Sequence, residues 1–334
     1  MTHPLRIAVL GCGRIGQMHA ELLARRVPGA TVSFVYDAVP EASASVGARL
    51  GIPVASSVDE ILVSDQVDAV AICSSTDTHV ELMIGAAQAG KAIFCEKPVD
   101  LSVERVRACL EVVRACKAKL MIGFNRRFDP NFASVRKRIA DGAIGQVEIV
   151  QITSRDPSPP PVSYIERSGG LFRDMMIHDF DMARFLLGEE LVSVSAFGSS
   201  LVDPEIGKAG DVDTAVVILQ TKSGKVCEIS NSRRATYGYD QRVEAHGSKG
   251  MLAANNILET TVEHSGAHGI TTDKVLNFFL ERYDSAYRSE LDAFVKAVKA
   301  GVEPSPSGQD GLLALVLADA AYQSWKTGQT VKLS

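Results

Sequence analysis

Residues 5–26, LRIAVLGCGRIGQMHAELLARR, constrain this chain more than any other stretch. An apolar run, Leu5–Leu10, ends in Gly11-x-Gly13-x-x-Gly16, and a helix-compatible segment follows from Arg14. Short buried strand, glycine turn and helix, in that order, are what binding a dinucleotide pyrophosphate requires. The first glycine makes the tight turn, the second lets backbone approach the phosphates, and the third lets helix and strand pack closely. The helix N-terminus adds free N–H groups and a partial positive charge. GxGxxG alone is a weak signal, but a second mark accompanies it. TVSFVYD reads as an apolar strand ending in Asp37, 21 residues after Gly16, where a carboxylate can accept hydrogen bonds from the adenosine ribose hydroxyls. The same carboxylate would repel a 2′-phosphate, and Ala38-Val39-Pro40 offers no arginine to hold one. NAD is therefore expected over NADP.

Strand and helix patterns alternate beyond this unit. Apolar strands read at 32–36, 69–73, 92–95 and Leu120–Gly123, with helical segments near 41–50, 58–62, 79–89 and 103–118; Ser102 is placed to cap the last. Such alternation means a parallel sheet covered on both faces. After about Gly123 the pattern changes. Residues 129–141 read as a helix, 146–154 as an alternating strand, the proline run 158–161 as loop, and 171–187 as one helix. Strands then follow at 192–201, Thr214–Thr221, Val226–Ser232, 242–247 and 258–263, before helices at 287–300 and 311–325. The expected fold is α/β. A dinucleotide-binding domain over 1–123 precedes an α/β domain over 124–334 with a large, mostly antiparallel open sheet, and the C-terminal helix is free to pack back on the first domain. TAVVIL, 214–219, is apolar on both faces. One face can meet helices; the other needs a cover, most simply a second subunit.

At 334 residues, 46% hydrophobic and 22% charged, the chain can bury two cores. A net charge of −5 without a basic block argues against nucleic acid or an anionic membrane as partner. No apolar run approaches the roughly 18 residues a membrane span needs, and no signal-peptide pattern opens the sequence. The six cysteines are scattered without a CxxC pair, as expected of free thiols in a cytoplasmic protein with no metal site.

Two clusters carry chemistry. CEKP, residues 95–98, closes what reads as the fifth strand of the parallel sheet. Glu96 and Lys97 there face the crevice in which open α/β sheets bind ligands, and Lys97 can donate to a substrate hydroxyl oxygen or carbonyl. The Lys97–Pro98 bond is a candidate cis peptide, which would aim the lysine. In GGLFRDMMIHDFDMARFLLG, residues 169–188, Asp174, His178 and Asp181 fall at i, i+4 and i+7 and so share one helical stripe. A carboxylate one turn from an imidazole suits a proton-transfer pair. His246 and His264 read as ordinary half-buried histidines.

Together GCGRIGQMHA, Asp37, TDTHVELMIGAAQAGKAIFCEKP and GGLFRDMMIHDFDMARFL resemble the Gfo/Idh/MocA family of sugar and polyol oxidoreductases, and within it the branch acting on inositol. The resemblance runs from the first strand to the C-terminal helices. It implies a Rossmann domain, an open sheet used for oligomerisation, often as a tetramer, and Lys97, Asp174 and His178 as catalytic residues. The activity it implies is oxidation of a secondary hydroxyl, myo-inositol to 2-keto-myo-inositol. His178 is the expected base, Lys97 the donor to the developing oxyanion, and Asp174 the group that orients His178. Expected cofactor contacts are Gly11, Gly13, Arg14, Ile15, Gly16 and Asp37 from the first two strands, and Ser74, Thr76, His79, Glu96 and Lys97 from the next two. Expected substrate contacts are Lys97, Arg127, Asp156, Asp174, His178 and Tyr283, with Tyr237 and Tyr239 as further candidates. Family members often carry Asn where this chain has Thr76. The loop 154–161 lies on the substrate side, where subfamilies diverge. Two other readings stay open: a dehydrogenase of another polyol or sugar, and a nucleotide-binding sensor without turnover.

Overall fold

The computed structural model describes residues 3–333. β1 (Leu5–Leu10) runs into α1 (Arg14–Arg25), β2 (Ala30–Tyr36), α2 (Pro40–Leu50), α3 (Val58–Val63), β3 (Ala69–Ile72), α4 (His79–Gln88), β4 (Ala92–Glu96), α5 (Val103–Ala115) and β5 (Leu120–Gly123). The five strands form one parallel sheet in the order β2-β1-β3-β4-β5. Every residue of β3 and β5 is buried, and so are the first four of β4, because helices cover both faces of a parallel sheet. Each large side chain so buried stabilises the fold by about 1.5–3 kcal/mol before chain entropy opposes it. Ser102 caps α5, its hydroxyl accepting from Arg105 N. β1 lies between β2 on one side and β3 on the other, so the direction of winding reverses between β1 and β3. Ligands of such sheets bind at the carboxyl ends of the strands flanking that reversal. The CEKP turn closes the fourth strand of the sheet, not the fifth.

Next come α6 (Pro130–Ala140), β6 (Val147–Arg155), α7 (Val162–Ser168), a π-helical turn (Leu171–Met175), α8 (Ile177–Leu187), β7 (Leu191–Ser199), α9 (Pro204–Lys208), β8 (Thr214–Thr221), β9 (Val226–Ser232), β10 (Asp240–Gly247) and β11 (Gly250–Ala254). They are followed by the hairpin β12 (Glu263–Gly266) and β13 (Gly269–Thr272), then α10 (Phe279–Arg282), α11 (Asp284–Ala300), α12 (Gly308–Thr327) and β14 (Val331–Lys332). The larger sheet has the order β11-β10-β6-β9-β8-β7-β14 and is antiparallel except at β6–β9. α8 packs against β6 and β9.

Three sequence expectations need correction here. Residues 171–187 are not one α-helix. Met176 N donates to Leu171 O, five residues back, so a π turn precedes α8. The strand expected at 258–263 is absent, since Leu258 makes only an isolated bridge to Val275. The chain instead turns at Ser248–Lys249 and pairs residues 250–254 back onto β10, a register that the turn fixes and the apolar pattern of MLAA does not reveal. His246 and His264 are exposed rather than half-buried.

Two compact units result: the chain up to Asn125 with Ser285–Leu315, and Arg126–Asp284 with the chain from Val316. The first is discontinuous in sequence, and its returning segment is stitched to β5 where Ile122 N donates to Pro306 O at 3.0 Å.

Candidate active site

The glycine turn of the first unit is tight because backbone occupies the space side chains would need. A Cβ on Gly11, which has φ +98°, would lie 2.5 Å from Ser74 N, and one on Gly16 would lie 1.8 Å from Gly11 O. A Cβ on Gly13 would meet nothing within 4 Å, so this glycine leaves an open approach to the backbone rather than relieving a clash. Gly13 also begins α1, with no side-chain cap and no acid in the first turn. The first N–H groups of the helix and its positive end are therefore available to an anion. Arg14 is exposed and Ile15 half-buried at this N-terminus. Asp37 is held at the end of β2 by Cys12 N, 2.6 Å from Oδ2, and Val39 N, 2.8 Å from Oδ1. Each oxygen keeps a lone pair for a further donor.

At the ends of β3 and β4, Ser74 Oγ and Thr78 Oγ1 are 2.7 Å apart, and Thr76 opens a short 3₁₀ turn. His79 is buried, with ring nitrogens 2.9 Å from Pro98 O and 3.1 Å from Ser74 O; burial pushes its pKa down. It ties two strand-end loops together instead of facing the open side of the turn. Glu96 likewise turns inward. Its Oε1 lies 2.7 Å from His19 Nε2, and its Oε2 accepts from Lys97 N at 3.2 Å. Lys97 is half-buried, and its bond to Pro98 is cis, as the sequence suggested.

The second unit gathers a separate polar group. Asp174 sits in the π turn and His178 in the first turn of α8. Leu171 N, at the start of the π turn, donates to both carboxylate oxygens of Asp211, at 3.1 and 3.0 Å. Asp174 accepts from Tyr164 Oη at 3.1 Å and lies 3.5 Å from an Arg233 nitrogen. Arg233, only 1% exposed, also approaches Asp156 at 3.9 Å. Desolvation pushes the Asp156 carboxyl up to about 6, against the pull of that guanidinium. Asp181, three residues after His178 in α8, is buried and paired with Arg127 through two hydrogen bonds of 2.8 and 2.5 Å. Arg127 is thus fixed on α8 and also lies over the Phe185 ring. Tyr283 is buried with its hydroxyl 3.2 Å from Gln241 Oε1, and Tyr239 is buried beside it. Tyr237 is exposed and donates to Asp240 at 2.7 Å. The sequence reading missed Arg233, Asp211 and Tyr164. Only the arginine pair that directly follows β9, in NSRRA, could have drawn attention to the first.

Residues 5–124 match the model of an oxidoreductase family with an NAD-binding Rossmann fold, and residues 132–253 match the GFO/IDH/MocA C-terminal domain. The chain belongs to the GFO/IDH/MocA oxidoreductase family. An inositol 2-dehydrogenase of Rhizobium meliloti strain 1021 is 57% identical over 320 residues, 96% of each chain. The crystal structure of a myo-inositol dehydrogenase from Corynebacterium glutamicum superposes with a TM-score of 0.95 at 45% identity, covering 99% of both chains. A Lactobacillus casei myo-inositol dehydrogenase solved with NAD(H) and myo-inositol superposes at 0.90 and 25% identity, covering 99% of this chain and 97% of that one. The α/β class read from the sequence, a Rossmann sheet followed by a mostly antiparallel one, is the fold of this family. The first unit of this GFO/IDH/MocA protein fits NAD on its own geometry. Gly13 leaves the pyrophosphate a path to the backbone, α1 presents uncapped N–H groups, and Asp37 is oriented to accept from ribose hydroxyls.

Proposed function

We propose that the protein oxidises a secondary hydroxyl of inositol, converting myo-inositol to 2-keto-myo-inositol. One observation carries the reading: Lys97, Asp174 and His178 are all present in a chain similar to inositol 2-dehydrogenases from end to end. NAD, when bound, supplies the hydride acceptor. Gly11, Gly13, Gly16 and the start of α1 would hold its pyrophosphate, and Asp37 its adenosine ribose. His178 takes the hydroxyl proton, because an alkoxide gives up hydride far more readily than an alcohol. Lys97 donates to the same oxygen and stabilises its growing negative charge. Asp174 orients His178 and favours its protonated form, while Arg233 and Tyr164 hold Asp174 in place. Asp156 is the first candidate for binding the remaining hydroxyls. Arg127 and Tyr283, already bonded to Asp181 and Gln241, would act at the edge of that pocket.

The same reading makes the protein a cytoplasmic homo-oligomer, a tetramer by family resemblance. All six cysteines are free thiols, as a reducing compartment would keep them. No helix among the described residues is long and apolar enough to cross a membrane.

The deciding experiment follows NADH absorbance with a panel of inositol isomers, sugars and linear polyols. The reading expects myo-inositol to give the highest kcat/KM. A sugar or linear polyol preferred over every inositol would replace the substrate, and no turnover with any would leave a sensor. His178→Ala should lower kcat by about 10²–10⁴ and Lys97→Ala by about 10²–10³, with KM for NAD little changed. Asp174→Asn should move the acid limb of the kcat–pH profile to lower pH. If His178→Ala kept most of its kcat at neutral pH, the base assignment would be wrong.

A further inference from the structure

Beneath the CEKP turn the first unit buries a second polar cluster that the proposed mechanism does not use. It consists of His19 from α1, Glu96 from the end of β4 and Glu290 from α11, with one polar atom of each within 4.8 Å of the others. His19 and Glu290 are 0% exposed. Phe94 and Tyr287 meet the His19 ring edge-on, at 5.2 and 5.8 Å between ring centroids. Both carboxyl oxygens of Glu290 lie buried without a hydrogen-bond partner among the described residues. Glu96 is engaged on both sides, by His19 Nε2 at 2.7 Å and by Lys97 N at 3.2 Å. The sequence leaves room for it: Gly123 sits opposite Glu96 in the β4–β5 register, and a Cβ there would lie 3.1 Å from the carboxylate.

Two carboxylates this close do not both carry charge at low cost when one of them is fully buried, because burial penalises the charge on Glu290 and Glu96 repels it. The pair must share a proton or a cation. A cation fits less well. The 2.7 Å between His19 Nε2 and Glu96 Oε1 is a hydrogen bond, shorter than the roughly 3 Å that separates two ligands on one metal with bonds of about 2.0–2.2 Å. Glu96 already holds two partners and Glu290 none among the described residues, which places the proton on Glu290. The titratable groups facing the pair are His19 on α1, Cys73 after β3, Cys95 on β4, His79 on α4 and Tyr287 on α11 itself. Burial first, and then the like charge of Glu96, push the Glu290 carboxyl well above its usual range.

We propose that Glu290 stands as a neutral carboxylic acid within 4.8 Å of the Glu96 carboxylate, that a rotation of the acid brings its proton onto Glu96, and that it thereby acts as a positioning residue for Lys97. The acid fixes the Glu96 carboxylate, and the carboxylate fixes the Lys97 N–H and with it the turn that aims the lysine. The kinetic part of this inference rests on the role proposed for Lys97; the protonation state does not.

Infrared spectra of the purified wild-type protein at neutral pH, compared with Glu290→Gln, test the protonation directly and need no substrate. The expected result is a protonated-carboxyl C=O band in the wild type that the substitution removes. Glu290→Leu, which removes the donor, should lower kcat about tenfold, roughly the worth of one hydrogen bond to a charged group, with KM for NAD little changed. Glu290→Gln, whose amide N–H can donate in place of the acid, should recover most of that loss. A wild type without the band, a band that survives Glu290→Gln, a Gln variant as slow as Leu, or stoichiometric metal in elemental analysis would each overturn the proposal. A failed inositol assay with an intact band would overturn the substrate reading alone.

Discussion

Asp156 is held in a state that its surroundings resist. Its carboxyl is raised from 3.8 to about 6, so the folded protein binds this proton more tightly than the unfolded chain does. Stability therefore falls as pH rises from about 4 to about 6. At neutral pH the penalty approaches about 3 kcal/mol at about 1.36 kcal/mol per pKa unit. Asp156→Asn should recover much of it in urea unfolding near pH 7 and little of it below about pH 4, while kcat/KM for the polyol falls. Equal stability of the two proteins at both pH values would remove Asp156 from the strained set. Such a trade is common where a site needs a charge that the fold does not. Asp37 differs, being held by two backbone N–H groups. Wild type should prefer NAD clearly in kcat/KM, and Asp37→Ser with Ala38→Arg should shift preference toward NADP; equal use of both by the wild type would contradict the reading. These residues differ in how far the sequence reveals them. Asp37 was legible because its role depends on strand order and spacing. The raised carboxyl of Asp156 was not, because it depends on a desolvated setting and on Arg233, 77 positions away.

Elements show the same division. The parallel strands were legible as short apolar runs because burial on both faces leaves no other pattern open to them. The π turn was not, since its start is bonded to Asp211, 40 residues on, and no local signal reports that partner. α11 and α12 were legible as helices, but a helical pattern does not name the unit that will bury it. α8 is anchored to the turn at Asn125–Phe128 by a buried ion pair, Asp179 with Arg126, and to β6 and β9 by Ser154 and Asn231, at 2.7 and 2.9 Å from Asp179. Removing one partner of such a pair strands the other charge in the interior. Asp179→Ala should therefore lower stability by about 3–5 kcal/mol, and Arg126→Met added to Asp179→Leu should do less damage than Asp179→Leu alone. A loss below about 1 kcal/mol for the single variant would show that solvent reaches the pair.

At the scale of the whole molecule, the large sheet of the second unit has one face still to account for. β8 alternates as an antiparallel strand should, with Ala215, Val217 and Leu219 buried, yet Val216 and Ile218 on its other face are apolar too and more than a third exposed. Phe197 stands directly opposite Val216 across the β7–β8 pair and is 70% exposed. A sheet with one wet face would carry polar residues at these positions, and adjacent apolar side chains on paired strands are what a second copy of the chain would bury. The protein should therefore run as a homo-oligomer in light scattering at micromolar concentration. Phe197→Asp with Ile218→Lys should give a smaller species. Those side chains contribute little to the monomer core, so circular dichroism and the infrared spectrum should stay unchanged while the oligomer dissociates. A wild type that is monomeric under these conditions would leave the apolar face of β7 and β8 unexplained and remove the oligomer from the proposed function. If the double variant instead kept the assembly at full size, the interface would lie elsewhere on the chain.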